Sequence, residues 1–144
     1  MKILVLNGPN LNMTGIRKKD VYGAETLEDI NNYLREYGES IGAEMFFYQS
    51  NHEGALIDII HKSKDEYDGV VINAGAYTHY SYAIRDAIEC VNEFTPFVEV
   101  HMSDIHKREG FRHISVITDV CIKQISGFGK ESYKMGIDLL AHKV

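Results

Sequence analysis

The sequence predicts an α/β fold, in which a doubly wound, five-stranded parallel sheet lies between two layers of helices (three layers, α/β/α). Two observations predict it. Short apolar runs alternate with amphipathic stretches from one end of the chain to the other. These runs are apolar on both sides, as strands are when helices cover both faces of a sheet. Right-handed crossovers leave few topologies for such strands. We expect residues 1–144 to form a single domain, since 144 residues is the length of about one domain.

Five segments are predicted as strands because they are short runs of apolar and β-branched residues. They cover residues 2–6, 44–48, 69–72, 96–100 and 121–125. The first and the third are the clearest of the five. Each is followed by a stretch with the periodicity of a helix or by a polar loop, which is the order that a parallel sheet requires.

Four helices are predicted by apolar residues at helical spacing. The first begins after Thr26, an N-cap with Asp29 three residues further on as a variant of the capping box, and Gly42 ends it. The others cover residues 56–66, 83–91 (with Pro96 beyond the end) and 131–142. Together with the strands they predict a flavodoxin-like arrangement.

The composition excludes several classes of protein. Apolar residues make up 44% and charged residues 25% of the chain, which argues against a disordered or fibrous protein. A net charge of −6 does not favour binding to nucleic acid or to an anionic membrane. The apolar run at residues 3–6 is too short for a signal peptide or a membrane span. Cys90 and Cys121 lack metal-binding or redox spacing, so we expect reduced thiols in a cytoplasmic protein.

Polar residues follow three of the predicted strands. In parallel sheets, ligands bind beyond the carboxyl ends of the strands, so these segments are the candidate site. Residues 7–12 and a loop with Arg17 and Tyr22 follow the first strand, and residues 73–79 follow the third. Residues 101–103 follow the fourth, with Arg108 and Arg112 further on. We expect these three segments to converge on one site.

Two of these side chains suggest acid–base chemistry. A tyrosine phenol has an ordinary pKa of about 10, and an adjacent cation such as Arg17 favours its ionised form. A phenolate at Tyr22 could therefore remove a proton from carbon in a closed site. His101 ends an apolar strand, where a buried structural histidine is the ordinary interpretation. Because it lies near Ser103 and two arginines, it is also a plausible general acid or base.

Three other interpretations fit the motifs less well. Gly127-Phe128-Gly129 could begin a dinucleotide-binding loop, but position 132 is Ser rather than a third glycine, and a tight turn is the better account. His101, His106 and His113 do not have the spacing of standard metal ligands. A serine hydrolase is not indicated either, because the chain has no Gly-x-Ser-x-Gly motif.

Seven different short motifs, spread in order over essentially the whole chain, carry a resemblance to a known family. They lie at residues 7–12, 15–17, 22–23, 26–30, 49–54, 73–79 and 99–113. In these motifs the chain closely resembles the type II 3-dehydroquinate dehydratases. The resemblance implies the dehydration of 3-dehydroquinate to 3-dehydroshikimate, in aromatic biosynthesis or in quinate breakdown. It also implies that the enzyme uses no cofactor, no metal and no lysine Schiff base.

The resemblance further implies how the proton is removed. Tyr22 matches the base that takes the proton from the carbon next to the ketone. Arg17 matches the residue that favours the phenolate, and Arg108 adds positive potential. Asn12 matches a member of the water-centred network that holds the resulting enolate. A preorganised donor of this kind can stabilise a developing oxyanion by a few kcal/mol.

The remaining roles concern the leaving group and the binding of substrate. His101, assisted by Glu99, matches the acid that protonates the departing hydroxyl. Asp86 matches a residue that completes the site of a neighbouring subunit, and the resemblance implies a homo-oligomer, a dodecamer built from four trimers. The positions that match ligands of the substrate carboxylate and hydroxyls are Asn73, His79, Ser103, the backbone at Met102, and Arg112.

The sequence departs from the family pattern at three places. Ala74 stands where proline is expected, Asp104 replaces an asparagine, and residues 17–20 lack an acidic–proline pair. None removes a catalytic side chain, so we expect effects on affinity more than on activity. The alternative function is a flavodoxin-like ligand-binding or receiver module without catalysis. A receiver needs acidic residues at the end of its first strand, where this chain has Asn7-Gly8-Pro9-Asn10.

Overall fold

The computed structural model describes residues 1–16, 20 and 24–142, and there it has the predicted α/β architecture. The strands of the described residues are β1 (Lys2–Asn7), β2 (Glu44–Gln49), β3 (Gly69–Asn73), β4 (Phe97–His101) and β5 (Lys123–Ser126). They form one sheet in the order β2-β1-β3-β4-β5, and every neighbouring pair is parallel. This is the flavodoxin-like strand order, so the prediction of a doubly wound five-stranded sheet is confirmed.

Four α-helices are present in the same described residues. They are α1 (Leu27–Ser40), α2 (Glu53–Glu66), α3 (Tyr82–Val91) and α4 (Glu131–His142). The predicted capping box at the start of α1 is present, because Asp29 N donates to Thr26 Oγ1 and Thr26 N donates to Asp29 Oδ2, both at 3.1 Å. Gly42 follows α1 with φ of 83°, a conformation that favours glycine and ends the helix.

Two elements begin more than one residue away from the predicted position. Helix α2 begins at Glu53 rather than residue 56, because Glu53, Gly54 and Ala55 bring no large apolar side chain and therefore add little to the apolar periodicity. Strand β5 begins at Lys123 rather than residue 121, because Cys121 and Ile122 form the connection from a short 3₁₀ helix at Thr118–Val120. That 3₁₀ helix brings Thr118 against β4, where the Thr118 hydroxyl donates to the Glu99 carboxylate.

Each face of the sheet carries its own core. On one face, strand residues such as Val5 and Val98 pack against α1 and α4. On the other face, residues such as Leu4 and Phe97 pack against α2 and α3, with Ile117 also in this core. Burial of each such side chain contributes about 1.5–3 kcal/mol relative to exposure, so the two layers together hold the sheet rigid beneath its loops.

The carboxyl ends of β1 and β3 lie side by side, and their loops are packed very closely. Asn7 pairs with Asn73 in the register, and Gly8 N donates to the Asn73 carbonyl at 2.8 Å. A Cβ at Gly8 would lie 2.5 Å from the Ala74 carbonyl oxygen, so only glycine allows this approach. Parallel strands end at the same edge of the sheet, and the polar segments after β1, β3 and β4 therefore meet there.

Two further features concern cysteines and membranes. Cys90 is exposed and Cys121 is partly buried, and neither forms a disulfide. No helix in residues 1–16, 20 and 24–142 is both long and apolar enough to cross a membrane.

Candidate active site

A polar cavity lies at the carboxyl ends of β1, β3 and β4. Of the predicted site residues that the structure describes, seven line it: Asn73, His79, His101, Met102, Ser103, Arg108 and Arg112. The loop after β1 contributes Pro9, Asn10 and Leu11 to the same cavity. The described parts of the three segments expected to converge therefore do converge, whereas the loop with Arg17 and Tyr22 lies outside the described residues.

The other predicted residues lie elsewhere. Glu99 is behind His101, with its side chain fully buried. Asn12 is exposed in the 3₁₀ helix Leu11–Met13 next to the cavity, and its Oδ1 is 3.5 Å from Gln49 Nε2. Asp86 is exposed on α3 and does not line the cavity. Tyr22, the predicted base, and Arg17, its predicted partner, lie outside the described residues.

His101 and Glu99 form a buried pair. Alternate residues of a strand point to the same face, so both side chains lie on the face of β4 that Phe97 shares. His101 Nε2 donates to Glu99 Oε2 at 2.6 Å, and the two residues are 5% and 0% exposed. Nε2 is therefore committed to the carboxylate, and Nδ1 is the ring nitrogen that remains for a ligand in the cavity.

The Glu99 carboxylate is stabilised as an anion despite its burial. Burial on its own raises the pKa of the Glu99 carboxyl. The hydrogen bond and charge of His101, together with hydrogen bonds from Thr118 and Ser115, outweigh burial and hold the pKa below its ordinary value. The buried anion holds the imidazole of His101 in one orientation through the bond to Nε2, with Nδ1 toward the cavity.

His79 presents a hydrogen-bond acceptor to the cavity rather than a positive charge. Its Nδ1 lies 2.8 Å from the Ile114 carbonyl, and because a carbonyl can only accept, Nδ1 carries the proton. Burial, with a contribution from the charges of His101 and Arg112, lowers the pKa of His79. The ring is therefore neutral near neutral pH, and Nε2 is left as an acceptor for a ligand hydroxyl.

Arg108 and Arg112 give the cavity its positive charge. Arg108 Nη1 lies 3.5 Å from Ser103 Oγ, and Glu109 Oε1 lies 3.8 Å from Arg108 Nε and 3.3 Å from Arg112 Nε. The Arg112 guanidinium also lies 4.6 Å from the centre of the Phe111 ring. Both arginine side chains are less than a fifth exposed, at 13% and 16%, so their charges are poorly screened by water. Such planar cations are suited to a carboxylate.

Asn73 is held by a tyrosine that the sequence did not single out. Asn73 Nδ2 donates to the Tyr133 phenol oxygen at 2.9 Å, and the phenol donates to Asn7 Oδ1 at 2.6 Å. Gly75 N donates to Asn73 Oδ1 at 3.1 Å. Burial raises the pKa of Tyr133, which therefore stays a neutral phenol able to donate and accept at once. In the sequence Tyr133 is only another apolar position of α4.

The loop after β1 contains one unusual backbone conformation. Asn10 has φ of 69°, the left-handed region that asparagine tolerates better than most residues. Its N–H donates to Asn51 Oδ1 at 2.9 Å, and Gln49 Nε2 donates to the Gly8 carbonyl at 3.1 Å. The motif at residues 49–54 thus supports the loop at residues 7–12, and Asn10 is held in position at the cavity.

The structure also bears on the proposed dinucleotide loop at residues 127–129 and on the three histidines considered as metal ligands. Gly127 and Gly129 have φ of 93° and 60°, as a tight strand-to-helix turn requires. His106 and His113 face each other with ring centres 6.5 Å apart, whereas His101 is bound to Glu99. Among residues 1–16, 20 and 24–142, no three His, Cys, Asp or Glu side chains gather as potential metal ligands.

Comparisons with known proteins agree over almost the whole chain. The family model for dehydroquinase class II matches residues 1–141. A 3-dehydroquinate dehydratase of Clostridium perfringens is 52% identical, covering 100% of this chain and 99% of the relative. The crystal structure of a type II dehydroquinase from Butyrivibrio crossotus is 55% identical with a TM-score of 0.95, covering 97% of each chain. Another from Propionibacterium acnes is 39% identical with a TM-score of 0.94, covering 98% of this chain and 96% of that one.

Proposed function

The chain belongs to the class II dehydroquinase family and is a hydro-lyase that dehydrates 3-dehydroquinate, and we propose that the cavity beyond β1, β3 and β4 is where it does so. This dehydration is a step of the shikimate pathway. The observation that carries the proposal is the buried His101–Glu99 pair, which borders a cavity that also contains Arg108 and Arg112. An acid beside a cationic pocket suits the loss of hydroxide from a carboxylate substrate.

Five cavity residues bind the substrate in this proposal. Arg112 takes the carboxylate, with Ser103 Oγ and the Met102 N–H as further donors. The Met102 carbonyl accepts from Gly129 N at 2.9 Å, so the N–H is the backbone group it offers. Asn73 and the neutral His79 bind hydroxyls, since an amide both donates and accepts and His79 Nε2 accepts.

The first chemical step removes a proton from the carbon next to the ketone. Tyr22, as a phenolate favoured by Arg17, takes the proton, and the electrons of the C–H bond move to the ketone oxygen to form an enolate. Arg108 adds positive potential, which its position on the cavity supports. Asn12 belongs to the network that holds the enolate, and its place beside the cavity supports this role.

The second step expels the hydroxyl group. The enolate electrons form the new carbon–carbon double bond as the C–O bond breaks. His101 donates its Nδ1 proton to the departing oxygen, and water leaves. Glu99 keeps the ring oriented through its bond to Nε2. The product is 3-dehydroshikimate, whose double bond is conjugated with the ketone.

We also propose that the enzyme is a homo-oligomer, a dodecamer of four trimers in which Asp86 completes a neighbouring site. The exposure of Asp86 on α3 supports this, as do Tyr80 and Tyr82, which are 59% and 68% exposed near the start of that helix. Aromatic residues are enriched at protein interfaces. We propose that the chain forms a single domain, which the family match over residues 1–141 supports. We also propose a cytoplasmic location, which the two free cysteines support.

The test is direct. Purified protein is incubated with 3-dehydroquinate, and the absorbance of the conjugated enone product is followed with and without a chelator. We expect product in both samples at the same rate. A binding module without catalysis would produce no enone, and a rate that collapses with chelator and returns with a divalent ion would contradict the metal-free mechanism.

A further inference from the structure

Besides Ser115, two side chains that sequence reasoning did not select bind the Glu99 carboxylate. Thr118 Oγ1 donates to Glu99 Oε1 at 2.5 Å. Gln124 Nε2 donates to Glu99 Oε2 at 3.2 Å and to Thr118 Oγ1 at 3.0 Å. With His101 on Oε2 at 2.6 Å, both carboxylate oxygens have donors. The two added residues also bind each other, so they form a connected support for the anion.

The sheet and the chain segment before β5 bring these groups together. Glu99 pairs with Gln124 in the β4–β5 register, so the two side chains are neighbours on one face. Thr118 comes from the 3₁₀ helix that precedes β5. The same face is apolar further back, where Phe97 and Ile117 are fully buried. A carboxylate without donors would be strongly disfavoured there, because burial penalises its charge.

Neither Thr118 nor Gln124 reaches the cavity. Both are absent from its lining among the described residues, whereas His101 is part of that lining. Any effect on the reaction must therefore pass through Glu99 and His101. If the Thr118 hydroxyl is removed, Glu99 Oε1 loses its hydrogen bond from Thr118, and the carboxylate can turn or take up a proton. In either case His101 loses the fixed anion that orients Nδ1.

We propose that Thr118 and Gln124 are positioning residues for the general acid His101, acting through Glu99. This inference rests on the proposed function. It makes a prediction that a purely structural role does not, because it concerns only the step in which the hydroxyl leaves. Removal of the α-proton, assigned to Tyr22, does not depend on His101. Impaired positioning should therefore slow dehydration more than it slows exchange of the α-proton with solvent.

The decisive variant is Thr118→Val, which keeps the shape of the side chain and removes the hydroxyl. We expect kcat to fall about 10-fold to 100-fold, the range seen when a partner that orients an active group is lost, with KM changed less than about threefold. In heavy water the ratio of α-deuterium exchange to dehydration should rise. Thr118→Ser, which restores the hydroxyl, should return both kcat and the ratio close to wild type.

A matched control is available in the same protein. Thr95 is fully buried and its Oγ1 donates to the Ser63 carbonyl at 3.1 Å and to the Tyr67 carbonyl at 3.3 Å, away from the cavity. Thr95→Val removes a buried threonine hydroxyl without touching Glu99. It should lower the melting temperature and leave kcat and the exchange ratio of the folded enzyme unchanged.

A second variant covers the case in which Thr118→Val does not fold. Gln124 is only partly buried, so Gln124→Leu removes its amide at a more tolerant position, and it should lower kcat and raise the exchange ratio in the same direction. A folded Thr118→Val or Gln124→Leu enzyme with wild-type kcat and ratio would overturn the inference. So would a fall in kcat that Thr95→Val reproduces at an unchanged ratio. Wild-type protein that fails to dehydrate 3-dehydroquinate would instead refute the proposed function.

Discussion

The amide nitrogen of Asn73 lies 2.9 Å from the phenol oxygen of Tyr133, so a residue of α4 on one face of the sheet holds a side chain at the edge where the cavity opens. Tyr133 is fully buried and Asn73 is 4% exposed. The phenol also donates to Asn7, so it links the ends of the neighbouring strands β1 and β3. The position of Asn73 in the cavity therefore depends on a hydroxyl from a distant part of the chain.

Tyr133→Phe should weaken both stability and substrate binding. It leaves buried amide groups of Asn7 and Asn73 without their partner, which costs about 1–3 kcal/mol of unfolding free energy. Because Asn73 is proposed to bind a substrate hydroxyl, KM should rise several-fold while kcat changes less. Urea unfolding and steady-state kinetics measure the two effects. An unchanged KM in a destabilised variant would show that the phenol serves the fold alone.

Glu99 should make stability depend on pH at the acid end. Its folded-state pKa lies below the ordinary 4.5, so the anion is favoured by folding. The stabilisation is complete above the unfolded pKa and is lost as pH falls through the folded pKa. The difference in unfolding free energy between wild type and Glu99→Gln should therefore be constant near neutral pH and shrink below about pH 4.5. A difference that is independent of pH between 3 and 7 would contradict this prediction.

Tyr22→Phe should abolish most of the activity with little loss of stability. The substitution keeps the ring and removes the proposed base, so turnover should fall by at least the ~10²–10⁴ typical of losing an acid–base residue. Arg17→Ala should also lower turnover strongly. The effects of the two substitutions should be far from additive in the double variant, because both act on one ionisation. Turnover of a folded Tyr22→Phe enzyme above about a tenth of wild type would mean that another group is the base.

Ala74→Pro should stabilise the protein. Ala74 has φ of −77°, which proline can adopt, and it follows the extended residue Asn73. In the backbone hydrogen bonds of the described residues outside regular elements, the Ala74 N–H is not a donor. Proline should therefore add about 0.4–1 kcal/mol by restricting the unfolded chain. A lower melting temperature would indicate that the buried site has no room for the ring, since Ala74 is 1% exposed.

Asp104→Asn should strengthen substrate binding modestly. Asp104 Oδ1 accepts from His106 N at 2.9 Å, a bond that an asparagine oxygen can also accept, so the local 3₁₀ helix should persist. Its neighbours Ser103 and Ile105 line the cavity, so its charge should repel a substrate carboxylate that binds there as proposed. We expect KM to fall about twofold to fivefold at low ionic strength and less at 0.5 M salt, because salt screens this repulsion. A ratio of wild-type KM to variant KM that is the same at both salt concentrations would contradict this prediction.

The elements were predictable where local pattern determines them, and the errors fall where it does not. The capping box at Thr26 and the strand at Gly69–Asn73 follow from residues close in the chain. The first turn of α2 has no large apolar side chain, and Cys121 and Ile122 look like strand residues although the 3₁₀ helix just before them delays β5. Apolar character alone cannot distinguish a strand from the segment that leads into it.

The sequence by itself determined the sheet, its helices, the family and the segments that meet at the cavity. Periodicity reports which face of an element is buried, and parallel strands bring the loops at their carboxyl ends to one edge. Only the tertiary structure decided which buried groups support the site. Thr118 and Gln124 are 19 and 25 positions from Glu99, and Tyr133 is 60 positions from Asn73. A hydrogen bond over such separations depends on how strands and helices pack, and it leaves no periodic signal in the chain.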